Sequence, residues 1–285
     1  MKPPPFGYSR PESVSEAVEM LAAAGEDAKV LAGGQSLIPL LNMRLAVPSH
    51  LVDINRLREL SYVSVADGHV VIGALARHAE VLADPAVTAA QPLIAQALGL
   101  VAHPVIRNRG TTVGSIVHAD PAGEMTAVLA LLGGTVALAS AEGERTVAAT
   151  DFFLGPLESD VRPEELAIEV SMPVLAPLAG CAFTEVSRRN GDYAVCGVAV
   201  LAELTESGAF GAARAAYLSV AGTPLVIDLT EAGGDPAAAG RLAMDRVSPS
   251  PDIHATAAYR RHLAGVLTAR GLAAALGHAR ERAGD

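Results

Sequence analysis

A chain of 285 residues, 51% hydrophobic, 18% charged and 4% aromatic, can bury more than one core and is too apolar to stay disordered. Its net charge of −10 argues against a nucleic-acid backbone as partner, because that affinity is built from clustered Lys and Arg. Two cysteines, Cys181 and Cys196, exclude a disulfide-stapled scaffold and any four-thiolate zinc or iron–sulfur centre carried by this chain alone.

No apolar signal core follows Met1-Lys2-Pro3-Pro4-Pro5-Phe6, so the chain reads as cytoplasmic. Ser13-Val14-Ser15-Glu16 is a capping box, with Val14, Ala17, Val18, Leu21 and Ala22 on one helical face and Gly25 as the stop. Residues 29–32 predict a buried strand running into Gly33-Gly34-Gln35-Ser36. A short helix over 37–44 and a strand over 50–54 complete a βαβ-like unit. A hairpin is predicted over 62–75, turned at Asp67-Gly68. Helices near 77–83 and 91–102 precede a Gly-rich loop over 107–124, a helix over 125–132 and a second hairpin over 135–149. Two uncharged runs, 85–106 and 125–141, are broken by Pro, Gln and His in the first and by Gly133-Gly134 in the second. Neither reads as a membrane span. Past about residue 175 the pattern becomes antiparallel strands over 182–186, 193–204, 211–220 and 226–229, then helices over 235–246 and 252–283. Pro173, Pro177 and Gly180 read as the linker.

Two glycine turns carry the chemistry. In Val30-Leu31-Ala32-Gly33-Gly34-Gln35-Ser36-Leu37 an apolar strand meets two glycines, then Gln and Ser, before a helix. Adjacent glycines let a ligand approach the backbone, the helix start offers N–H groups, and Ser36 adds a hydroxyl; the set suits a phosphate or pyrophosphate. A tight strand–helix turn without a ligand uses the same residues. Arg107-Asn108-Arg109-Gly110-Thr111-Thr112-Val113-Gly114-Ser115 repeats the theme with two glycines, three hydroxyls and two flanking arginines. The chain contains no G-x-G-x-x-G, and no Gly-Lys-Ser/Thr follows either turn, which disfavours a Rossmann dehydrogenase and a P-loop enzyme. His118, Asp120 and Glu124 follow, at a spacing that matches no standard His–carboxylate metal site. Glu124, at a helix start, suits either a chain of ligand hydroxyls or a helix N-terminal role.

Ala32-Gly33-Gly34-Gln35-Ser36, Arg107-Asn108-Arg109-Gly110-Thr111 with Gly114-Ser115, His118-Ala119-Asp120-Pro121-Ala122 and Arg188-Arg189-Asn190-Gly191-Asp192-Tyr193-Ala194 stand in this order along the chain. Together they resemble the FAD-binding medium subunit of molybdenum hydroxylases, the flavoprotein of the carbon monoxide dehydrogenase and xanthine dehydrogenase family. The resemblance covers essentially the whole chain.

It implies an α+β chain: a vanillyl-alcohol-oxidase-type (PCMH-type) FAD-binding domain of two α/β subdomains, plus a C-terminal antiparallel sheet with helices. The corresponding boundaries are 1–57, 58–175 and 176–285. By matching positions, Val30, Leu31, Ala32, Gly33, Gly34, Gln35, Ser36 and Leu37 would bracket the FAD pyrophosphate with Thr111, Thr112, Val113, Gly114 and Ser115. Val101 would lie near the flavin, Glu124 would meet the ribityl chain or nearby hydroxyls, and Leu166 would line the pocket. Tyr193 would lie against the isoalloxazine. The chain departs from the family at Val113, where relatives carry glycine, and at Thr184, where some relatives place a lysine near the flavin.

The implied function is electron transfer through FAD to an external acceptor, with no catalytic residue and no metal ligand in this chain. The [2Fe–2S] clusters and the molybdenum cofactor would sit on an iron–sulfur small subunit and a molybdopterin large subunit, in a dimer of heterotrimers. Two alternatives stay open at this point. One is a self-sufficient FAD-dependent oxidase or dehydrogenase of a small molecule. The other is a protein that has lost its flavin, for which Val113 is the one favouring feature.

Overall fold

A computed structural model describes residues 2–284. The first sheet is parallel, in the order β1 (Gly7–Ser9), β3 (His50–Asp53), β2 (Ala28–Leu31). Helix α1 (Val14–Ala24) joins β1 to β2, and Ser13 caps it by accepting from Glu16 N–H at 3.1 Å. Gly25 ends it at φ +70°, a conformation that glycine adopts without a Cβ penalty. Between β2 and β3 runs α2 (Leu37–Met43), so the parallel pair β2–β3 closes over the first glycine turn.

The second sheet is antiparallel, in the order β4 (Val63–Ala66), β5 (His69–Gly73), β10 (Leu166–Pro173), β6 (Thr135–Ser140), β7 (Gly143–Ala148). Asp67 and Gly68 turn its first hairpin with φ of 50° and 75°, as a two-residue turn between right-twisted strands requires. Its middle strand, β10, has no counterpart among the predicted elements. It pairs with β5 about a hundred residues earlier, so no local turn announces it. Six helices lie between β5 and β6: α3 (His78–Ala83), α4 (Pro85–Ala90), α5 (Pro92–Leu100), α6 (Pro104–Arg107), α7 (Thr112–His118) and α8 (Glu124–Leu132). The predicted loop over 107–124 therefore contains a helix, α7, capped by Thr111. A short helix α9 (Ala149–Phe152) leads into a small hairpin of β8 (Phe153–Gly155) and β9 (Glu158–Ser159).

The third sheet is antiparallel, in the order β11 (Ala179–Ser187), β12 (Ala194–Leu204), β13 (Phe210–Leu218), β14 (Leu225–Asp228). Helices α10 (Pro236–Arg246) and α11 (Ala257–Gly284) follow. Ala182, Val198, Val200, Ala215 and Tyr217 belong to a core shared with α10 and α11. Cys181, Phe183, Ala199, Leu201, Ala216 and Leu218 belong to the core of the FAD-binding part, with Leu98 of α5 and Val128 of α8. A sheet covered on both faces must be apolar on both, which accounts for the almost unbroken Ala/Val/Leu run of β12. Gly180 is no part of a linker. A Cβ there would meet Ala275 O at 2.1 Å and Ala279 N at 2.3 Å, so this glycine lets α11 lie directly on β11. Among the described residues, no helix is long and apolar enough to cross a membrane.

Candidate functional site

The βαβ turn after β2 meets the segment before α7 backbone to backbone. A Cβ on Gly33 would lie 2.4 Å from the Arg109 carbonyl oxygen and 2.8 Å from Gly110 Cα. Only glycine permits that approach. Asn55 and Arg77 tie the junction together. Asn55 Nδ2 donates to Ala32 O at 2.9 Å and to Asp53 Oδ1 at 2.6 Å. Arg77 donates to Asn55 Oδ1 at 2.7 Å and to Arg109 O at 2.9 Å. Burial pushes the Asp53 carboxyl up, but hydrogen bonds from Tyr8 and Asn55 outweigh it and hold the group below its ordinary range.

Beside this junction lies a cleft of about 400 Å³, lined by Leu31, Ala32, Gly33, Gly34, Gln35, Ile38, Pro39, Asn42, Asp53, Asn55 and Arg109. The backbone N–H groups of residues 33–37 find no acceptor among the described residues, while Gln35 Nε2 folds back to Gly33 O at 3.2 Å. Arg77 is pushed down by burial and then by Arg109, so two guanidinium groups crowd each other at the junction. Free amides and crowded cations together make a donor set for an anion.

The second segment corrects the reading of its hydroxyls. Thr111 Oγ1 accepts from Gly114 N–H at 3.2 Å as the cap of α7, and Thr112 Oγ1 lies 3.1 Å from Nδ1 of the buried His78. Both threonine side chains turn inward. A Cβ on Gly114 would lie 2.5 Å from Thr111 Oγ1, so the cap alone requires glycine there. Val113 is 2% exposed and packs in the core, so its branched side chain stays off the outer surface of the turn. After the buried run from Gly110 to Val113, Gly114 and Ser115 are partly exposed.

Helix α7, seven residues and about 10 Å long, leads from the junction to an acidic region. Asp120 Oδ1 accepts from Ala122 N–H at 2.8 Å, and Ser219 N–H donates to Pro121 O at 2.8 Å, anchoring the turn on the third sheet. Glu124, at the start of α8, is 7% exposed; burial pushes its carboxyl up to about 7, and Asp120 adds to the shift. Tyr193, 65% exposed, has its phenol pushed up by partial burial and by Asp120 and Glu124. Gly191 packs on the His103 ring, where a Cβ would lie 2.5 Å from Cε1. Val101 caps α5 nearby, and its carbonyl accepts from Arg107 at 2.8 Å. Leu166 is fully buried in β10, opposite Ala139 of β6.

Thr184 lies on the other side of the third sheet. Its Oγ1 is 4.0 Å from the Cβ position of Gly271 on α11, and it is buried without a partner. Its neighbour Glu185 falls on the opposite face, the one that carries Cys181 and Phe183. Burial pushes its carboxyl up to about 8, and Glu124 is the second cause.

A family model described as the FAD binding domain in molybdopterin dehydrogenase matches residues 4–175. One described as the CO dehydrogenase flavoprotein C-terminal domain matches residues 181–275. The chain belongs to the FAD-binding subunits of the molybdenum hydroxylases. It is 41% identical to the 6-hydroxypseudooxynicotine dehydrogenase complex subunit alpha of Paenarthrobacter nicotinovorans, over 98% of this chain and 97% of that one. Against the caffeine dehydrogenase subunit beta of Pseudomonas sp. (strain CBB1) the identity is 37%, over 96% of each chain. A solved chain of carbon monoxide dehydrogenase from Hydrogenophaga pseudoflava superposes with a TM-score of 0.92 at 37% identity, covering 98% of this chain and 99% of that one.

The residues fit FAD, the cofactor of this family. The junction supplies free amides and guanidinium groups for a diphosphate; Glu124 supplies a buried carboxyl and Glu185 a half-buried one, with no cation acting on either. As a member of this family the chain is an oxidoreductase component. Asp53, Asn55, Arg77 and Glu185 were not singled out from the sequence. Glu185 could have been found by the alternation 181, 183, 185 had the burial of both sheet faces been known.

Proposed function

We propose that this chain is the FAD-carrying electron-transfer subunit of a molybdenum hydroxylase. It would take electrons from [2Fe–2S] clusters on a small subunit, supplied in turn by a molybdopterin large subunit, in a cytoplasmic dimer of heterotrimers. Family membership supports the division of labour, and two buried cysteines leave no cluster ligands among the described residues. The observation that carries the reading is the contact of Gly33 with Arg109 and Gly110, which builds one anion-binding junction from two distant glycine segments.

In this reading the amides of residues 33–37, Gln35, Ser36 and Arg109 hold the diphosphate, with Val30, Leu31 and Ala32 forming the floor that leads to it. Thr111, Thr112 and Val113 set the backbone of the second segment from inside, leaving Gly114 and Ser115 toward the cofactor. Val101, Leu166 and Tyr193 surround the ring end, and Glu124 meets the hydroxyl chain. Bound FAD supplies the exchange between one-electron donors and a two-electron acceptor. The protein contributes binding, orientation and the electrostatic setting. The division 1–57, 58–175 and 176–285 separates two walls of the FAD site from the part that covers it.

Purified protein should show flavin absorption bands that survive gel filtration, and should co-purify with iron–sulfur and molybdenum subunits from its native host. Colourless protein that takes up no added FAD would sink the proposal.

A further inference from the structure

On the face of β11 turned toward the FAD-binding part, where α5 packs on the strand, Ala179, Cys181 and Phe183 are apolar and join that core. Glu185 follows them on the same face. Its partner across the ladder is Gly197, whose Cβ position lies 3.2 Å from Glu185 Cβ. The glycine makes room for the carboxyl stem and offers no side-chain hydrogen bond. Glu185 Oε2 is buried and bonds to nothing among the described residues.

The charged groups that act on Glu124 and Glu185 are negative. From α8 comes Glu124, which acts on Glu185, and from the preceding turn comes Asp120, which acts on Glu124. Tyr193, just before β12, has a phenol on which Asp120 and Glu124 both act, and β13 brings the apolar Leu218 over Gly197. His118, at the end of α7, is pushed down by burial and up by Asp120. No arginine or lysine is among the groups acting on Glu124 or Glu185. A buried Glu124 and a Glu185 whose Oε2 is buried and unpartnered, with no cation acting on either, ionise together only at a cost.

We propose that Glu124 and Glu185 form a proton-holding pair within the FAD site, Glu185 being the neutral member, and that FAD binding is coupled to protonation of this pair. The inference rests on the FAD reading above. A ligand laid against the pair removes the water it still meets and disfavours the ionised form further, so binding and protonation promote each other. A neutral carboxyl can also donate a hydrogen bond, which a carboxylate cannot. Burial has already pushed the two groups up to about 7 and about 8. The bound state holds the extra proton, so affinity is greatest below these values and falls as pH rises through them.

The test is the Kd of FAD for the full chain freed of flavin, read by quenching of flavin fluorescence between about pH 6 and about pH 9. One proton whose affinity shifts by a unit gives roughly tenfold weakening across that range. Calorimetry in two buffers of different ionisation enthalpy counts the protons taken up on binding. Glu185→Gln keeps a neutral donor and should bind FAD at low pH, with a shallower pH dependence and less proton uptake than wild type, because only Glu124 is left to titrate. A flat wild-type profile without proton uptake, or a Glu185→Gln profile as steep as wild type, overturns the pair. Wild-type protein that binds no FAD at any pH overturns the FAD reading itself.

Discussion

Substituting alanine at Gly33 puts one methyl group where two backbones touch. Its carbon would start 2.4 Å from Arg109 O and 2.8 Å from Gly110 Cα, against ordinary contact at 3.4–4 Å. Relief therefore needs a separation of about 1 Å between backbone segments, because neither obstacle is a flexible side-chain end. Overpacking of this kind costs about 1–3 kcal/mol, which is a fall of roughly 2–12 °C in Tm for a chain of this size class. The same separation strains the Arg77 bridge to Asn55 and Arg109 O, so the anion-binding donors move apart with the loops. The assay pairs the Tm of the apo-protein with the FAD content per chain after gel filtration. Gly33→Ala should lose most of its FAD and melt earlier. Gly277→Ala in α11, where a Cβ meets nothing within 4 Å, should keep both at or above wild type. Gly33→Ala protein with full FAD and an unchanged Tm would refute the contact argument.

Gly180→Ala should destabilise the third sheet by about 1–3 kcal/mol or more, because its Cβ would meet Ala275 O and Ala279 N of α11 within 2.3 Å; a denaturant midpoint equal to wild type would count against that packing. His78 is buried, and burial followed by Arg107 pushes its imidazole down to about 4. The unfolded chain binds this proton near pH 6.5 and the folded chain does not, so the contribution is fully present above about 6.5 and is lost as pH falls toward about 4. Urea melts at descending pH should show stability falling through that window, with a shallower fall in His78→Gln.

The structure changes the physical reason attached to several residues that sequence reading selected. Gly33 and Gly114 are both required by contacts within the protein, the first with the other loop and the second with the Thr111 cap. Val113 departs from the family's glycine without filling the turn, since its side chain joins the core. Thr184 occupies the position compared with a family lysine, yet it faces α11, and its neighbour Glu185 falls on the opposite face with Cys181 and Phe183. In a strand one step along the chain is a change of face.

From the sequence alone came the glycine turns, the caps, the hairpin turned at Asp67-Gly68 and the cofactor class they resemble. These rest on local needs, a positive φ or a close backbone approach, that a few adjacent residues declare. Tertiary structure alone decided that Gly33 meets Gly110, that β10 is inserted between β5 and β6, and that Glu185 comes within the electrostatic reach of Glu124. Each depends on partners far apart in the chain, chosen by which apolar faces can be buried together. The negative charge that first argued against nucleic acid has a local counterpart in Glu124 and Glu185, on which no cation acts.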